Sequence, residues 1–316
     1  MSGLRGEVLD WFESKRVVPG GEHEVLREAG IYPTRADWRT FLSSLTLWLG
    51  TLALAAALVF FLAFNWDDLG RFAKFGLVEA AILLGLVACW RFGLDGAPGK
   101  AVLVLLSLLV GALLALTGQV YQTGADTWEL FAWWAALILP WVLVGRFSPL
   151  WLVWLALVNL TVLLYPQAYD VEPVLWILFG IDTLALVAWE AAHRAGIAWL
   201  RDSWPPRLVA FASGIAATAL AGGAIFDDFR GTGPLAALAY LAWLAGFHFW
   251  YRRMRPDLFM LAGGLFSLIV TIVMLLAQNM LDDGSIAYLF IGLVVIGMSA
   301  GGAIWLKSIG RAEAAA

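Results

Sequence analysis

The chain has 316 residues, 62% of them apolar or aromatic and only 14% charged, with a mean hydropathy of +0.82 and a formal net charge of −4. A water-soluble domain of this size is roughly half apolar and a quarter charged, so this chain has too few charged groups to cover a soluble core. The composition therefore excludes a soluble globular fold and predicts an all-α, polytopic helical membrane protein, with about ten spans of about 20 residues each.

The first forty residues differ from the rest. Six bases (Arg5, Lys15, Arg16, Arg27, Arg35 and Arg39) mix with seven acids, and no apolar run of signal-peptide length precedes Phe41. Leu4, Val8, Trp11 and Phe12 share one helical face, Pro19-Gly20-Gly21 interrupts it, and Val25, Leu26 and Ala29 suggest a second short helix. Residues 1–40 are thus expected to form a small cytoplasmic helical hairpin. It either packs at the headgroup level or docks a cytoplasmic protein partner.

From residue 41 apolar runs alternate with short polar breaks. Spans are predicted near 41–64, 73–90, 101–118, 128–145, 150–165, 174–192, 208–226, 235–251, 258–277 and 286–306, making 41–306 a transmembrane domain and 307–316 a tail. The fifth and eighth are short for a full crossing, which leaves a count of nine or a re-entrant segment open.

Basic residues sort by side. Arg91, Lys100, Arg146, Arg194, Arg201, Arg207, Arg252, Arg253, Arg255, Lys307 and Arg311 fall on the side of the N-terminus. Arg71, Lys74 and Arg230 fall on the other. Because bases are retained in the cytoplasm, both termini are expected on the cytoplasmic side of a cell membrane. Trp66, Trp90, Trp128, Trp151, Trp250 and Trp305 sit at predicted span ends and read as interfacial anchors. Gly297 and Gly301 form a GxxxG that permits close helix approach, within the chain or between copies; the sequence does not specify an oligomeric state.

Polar groups inside the spans are the pointers to function, because insertion of each costs about 2.5–3.5 kcal/mol unless it is paired or hydrated. Asp182 lies near the predicted midplane, and Asn159 reaches a similar depth in the preceding span. These two form a candidate intramembrane polar pair, which serves either a proton-coupled transporter or simple helix-to-helix bonding. A second group, Asn65, Asp67, Glu79, Gln119, Tyr121, Gln122 and Asp126, falls on the outer side. It either lines an outward-facing cavity for a cation, a sugar or a lipid headgroup, or caps helix ends. Glu190 and Arg194 are spaced i, i+4 and are expected to pair.

Two stretches carry a resemblance. Residues 50–75, GTLALAAALVFFLAFNWDDLGRFAKF, and residues 109–143, LVGALLALTGQVYQTGADTWELFAWWAALILPWVL, together with the charged N-terminus resemble the DUF2157 family of bacterial predicted multi-pass membrane proteins. The resemblance covers about residues 1–145. It implies location and topology and supplies no catalytic residues.

Other chemistry finds little footing. The single Cys89 and the scattered His23, His193 and His248 give no metal-ligand spacing, so no metal and no cofactor is expected. No basic block points to nucleic acid. Residues 93–100, GLDGAPGK, fail the phosphate-loop pattern because Leu94 stands where glycine is required. No catalytic elbow or zinc-protease motif occurs, and catalysis survives only as an intramembrane transferase using Asp182 or the outer carboxylates as base. Three readings remain: a structural or sensory protein, a transporter for a small solute or lipid, and that transferase.

Overall fold

The computed structural model describes residues 26–27, 33–122, 124–165, 171–226, 229, 231–280 and 285–315. The N-terminal hairpin expected from the sequence lies almost wholly outside the described residues. Among the described residues the secondary structure is helical throughout, with no strand and ten α-helices. They are α1 (Arg35–Phe64), α2 (Arg71–Phe92), α3 (Ala97–Tyr121), α4 (Thr127–Gly145), α5 (Ser148–Leu164), α6 (Val171–Arg194), α7 (Trp204–Ile225), α8 (Gly233–Phe249), α9 (Leu258–Met280) and α10 (Ser285–Ala315).

Eight of these helices are long and apolar enough to cross a membrane. The chain is a polytopic helical membrane protein. The remaining two are α5 and α8, the two elements that the sequence marks as short. With 17 residues, α5 is about 25 Å long at 1.5 Å per residue, below the roughly 30 Å of a bilayer core. The same length applies to α8, but it runs directly into a π-helical turn, Trp250–Met254, through bonds from the Trp250 N–H to the carbonyls of Gly246 and Phe247.

Local chemistry explains the boundaries. A capping box starts α1: the Asp37 N–H donates to Thr34 Oγ1, and the Thr34 N–H donates to the Asp37 carboxylate. Prolines open α5, α7 and α8, where their missing N–H groups cost nothing. A Schellman motif closes α6: Gly196 takes φ +79°, its N–H bonds to His193 O, and the Ile197 N–H bonds to Ala192 O.

The chain divides into two compact units, 1–121 and 122–316. In the first, α3 is central and packs against both α2 and α1; Leu62, Val78 and Leu116 form the buried contact. The glycines of the GLDGAPGK segment build the turn between α2 and α3. Gly93 caps α2 at φ +70°, and Gly99 lies so close to the Gly93 carbonyl that no side chain fits between them. In the second unit α4 pairs with α5, α7 packs against α6, α8 and α9, and α10 packs on α9. Helix α7 can hold that central place because its inward face is small: Ala210, Ser213, Ala216, Ala217 and Ala221 are all buried. Small residues let helix backbones approach where lipid removes the hydrophobic drive between helices.

The outward surface is strongly apolar. Phe60, Leu84, Leu184 and Ile304 are each more than 70% exposed, which fits a lipid environment and would be costly in water. Three of the anchor tryptophans carry a cation over the ring: Lys74 Nζ sits 3.7 Å from the Trp66 centroid, Arg194 is 4.1 Å from Trp250 and Arg252 is 5.5 Å from Trp305. Gly297 and Gly301 have open space in front of them, whereas α10 meets α9 through Gly302 against Leu265 and Gly310 against Leu258.

Candidate intramembrane polar site

The second unit gathers the candidate pair. Asn159 on α5 donates from Nδ2 to Asp182 Oδ1 on α6 at 2.9 Å, and also to its own helix at Leu155 O, 3.0 Å away. Asp182 is 2% exposed. Its helix neighbours Leu178 and Leu186 are buried in apolar clusters that include Val174, Ala216, Leu200 and Val209. The carboxyl group is therefore enclosed by hydrocarbon and held by one amide.

Two further hydroxyl centres tie α7 to its neighbours. Ser213 Oγ lies 2.9 Å from Thr183 Oγ1 of α6 and accepts from the Trp243 indole N–H of α8 at 2.9 Å. Ser267 Oγ of α9 lies 2.7 Å from Thr218 Oγ1 of α7 and 3.2 Å from the Tyr240 hydroxyl of α8. Hydrogen bonds of this kind join membrane helices at about 0.6 kcal/mol each on average, with about 1.7 kcal/mol as an upper value. Sequence reasoning did not single out Ser213 or Ser267. The available signal was a pair of hydroxyl residues inside each of two apolar spans, Ser213 with Thr218 and Ser267 with Thr271, which is weak because such side chains can equally bond their own helix.

Charged contacts mark one end of this unit. Glu190 on α6 accepts from the Tyr251 hydroxyl at 2.9 Å and from Arg255 Nη1 at 2.8 Å. The expected Glu190–Arg194 pairing is thereby replaced: Arg194 lies over Trp250, and Glu190 turns to the buried side where the π-helical turn presents Tyr251. Arg207 at the start of α7 and Asp257 just before α9 form a second pair, closest at 3.0 Å.

The outer group is more dispersed. Asn65 caps α1 by donating from Nδ2 to Phe61 O at 2.8 Å. Asp67, Glu79 and Gln119 are exposed. Tyr121 ends α3 with its ring 5.8 Å from that of Phe75. Gln122 stands past the helix end at φ +46°, so it does not share a helical turn with Gln119. Asp126 precedes α4 with no side-chain capping bond. Among the described residues no hydrogen bond joins two members of this group, whose first five belong to one unit and whose last two belong to the other.

The apolar helices and their charge pattern are those of a membrane protein, and comparison with known families agrees. Residues 10–151 match the family model described as "Predicted membrane protein (DUF2157)". This is the N-terminal segment in which the sequence shows the resemblance. The DUF2157 match ends at the start of α5, so Asn159, Asp182 and the hydroxyl centres lie outside it. No curated protein and no solved structure matches the chain.

Proposed function

We propose that the chain is a structural or sensory protein of a bacterial inner membrane, with both termini in the cytoplasm and residues 1–40 as the segment that meets a cytoplasmic protein. The enclosure of Asp182 carries this reading. A solute or proton path needs polar groups that water or substrate can reach, whereas Asp182 is buried, with its carboxylate bonded to Asn159 and its helix neighbours in apolar clusters. Polar groups so placed hold helices together. The excess of bases on the N-terminal side supports the orientation.

The test uses the full chain in proteoliposomes, with proton flux under an imposed potential read by an enclosed pH-sensitive dye. Wild type, Asp182→Asn and Glu79→Gln are expected to give the flux of protein-free vesicles. Flux that wild type supports and Asp182→Asn abolishes would overturn the reading in favour of a transporter. In parallel, a photoreactive residue at Trp11 in cells is expected to give an adduct to another protein that Val8→Ser weakens. Adducts to lipid alone would remove the docking role of residues 1–40.

A further inference from the structure

A groove of about 510 Å³ runs along the second unit between α7 and α9, with Trp243 and Phe247 of α8 among its lining residues. Its rim residues Phe211, Ile215, Phe259 and Phe266 are each more than half exposed, so the groove opens sideways from the helix bundle. Its lining is almost entirely apolar. The exceptions are Arg207 at one end and Thr218 with Ser267 further in, and these two hydroxyls are already bonded to each other.

The register of the two helices fixes the groove's depth. Arg207 meets Asp257, and eleven residues later Thr218 meets Ser267, so α7 and α9 run parallel. Eleven residues of helix span about 16 Å, which is half of the roughly 30 Å bilayer core. The lining continues past the two hydroxyls to Val270 and Met274, whose sulfur lies beside Gly222, so the groove runs from a charged, headgroup-level end for about 22 Å along α7, beyond the midplane. Arg207 also retains donor capacity: Asp257 takes its Nε and Nη2, and Nη1 makes no hydrogen bond among the described residues.

We propose that this groove is a phospholipid site, which holds one acyl chain of the leaflet on the Arg207 side and receives that lipid's phosphate at Arg207 Nη1. The apolar lining, the sideways opening between exposed apolar rim residues and the single cation at the headgroup-level end together select this occupant. A free anion would find no second cation in the lining, and a protein helix would leave the arginine without a counter-charge beyond Asp257. Gly263 lines the groove with open space in front of its Cα, and Gly214 leaves room beside Trp243.

The test reconstitutes the full chain in vesicles of phosphatidylethanolamine and phosphatidylglycerol that contain a trace of each lipid with a diazirine on one acyl chain, and maps photo-adducts by mass spectrometry. Adducts are expected to concentrate on Phe211, Ile215 and Phe266. Gly263→Leu is expected to lower their yield about tenfold by filling the channel with side-chain volume. Gly180→Leu, also facing open space but on α6, is expected to leave the yield unchanged. Arg207→Lys keeps the ion pair and removes the free guanidinium nitrogen; it is expected to lower adducts from the phospholipid and not from a diazirine fatty alcohol. Ala219→Leu, which fills the same groove from the α7 wall nearer its deep end, serves should Gly263→Leu fail to fold. Adducts spread evenly over the exposed apolar faces of this unit, or an unchanged yield in a folded, groove-filled variant, would overturn the proposal.

Discussion

Asn159 and Asp182, 23 residues apart in the chain, meet across α5 and α6 through a 2.9 Å hydrogen bond at a point where the carboxyl is almost wholly enclosed. The amide supplies the donor that the carboxyl would otherwise lack in hydrocarbon, and its second N–H returns to Leu155 O and fixes the rotamer. On the proposed reading the pair serves helix assembly.

Replacing one partner tests that assignment. Asn159→Leu is expected to destabilise the second unit by about 1 kcal/mol in an SDS-unfolding titration in mixed micelles, because Asp182 loses its interhelical partner. Asp182→Asn keeps an acceptor oxygen and is expected to cost less than half as much. A double-mutant cycle on Asn159→Leu and Asp182→Leu is expected to give a coupling of about 0.5–1.5 kcal/mol. Zero coupling would show that the two side chains do not hold each other.

Glu190 gives a stronger case, because here a buried carboxylate faces both a hydroxyl and a guanidinium. Arg255→Ala is expected to cost about 2 kcal/mol, and Tyr251→Phe about 1 kcal/mol, in the same titration. Arg194→Ala, which removes the expected i, i+4 partner and the cation over Trp250 but neither observed partner of Glu190, is expected to cost about 0.5–1 kcal/mol, clearly less than Arg255→Ala. Equal losses for Arg194→Ala and Arg255→Ala would restore the helical pairing.

The turn between α2 and α3 is specified sterically. A Cβ at Gly99 falls on the backbone carbonyl of Gly93, which cannot move aside as a side-chain tip can, whereas a Cβ at Gly96 meets only Pro98 Cδ at 3.5 Å. Gly99→Ala is expected to destabilise the first unit by about 2 kcal/mol and Gly96→Ala to change it by under about 0.5 kcal/mol, read as the midpoint of thermal unfolding in detergent. Similar midpoints would mean that the turn tolerates a wider approach of the two helices.

Apolar runs of about 20 residues are strong signals, so helix positions were legible: the runs near 73–90, 128–145 and 258–277 lie within Arg71–Phe92, Thr127–Gly145 and Leu258–Met280. The pairing of Asn159 with Asp182 was legible too, since adjacent helices and matched depth leave few alternatives. Glu190 was not. Its sequence neighbour Arg194 satisfies the i, i+4 rule, and only the π-helical turn at Trp250–Met254, which has no clear sequence signature, turns Tyr251 and its neighbour Arg255 onto it. Contacts between distant helices, such as Arg207 with Asp257 fifty residues on, depend on helix order around α7, which hydropathy does not encode. The end of α3 shows a smaller gap: the helix runs to Tyr121, three residues past the apolar run that ends near 118, and Gln122 beyond it takes φ +46°.

The orientation is open to direct chemical reading. In a Cys89→Ala background, a maleimide that does not cross membranes is expected to label Asp126→Cys in intact cells and to leave Arg253→Cys unlabelled until the membrane is permeabilised. Both positions are exposed, so access is decided by the side of the membrane and not by packing. Five helices, α4 to α8, lie between the two positions, so the number of crossings is odd when α5 and α8 both cross and even when just one of them does. Labelling of both positions in intact cells would mean that one of these two short helices is re-entrant, with the base distribution overridden by length.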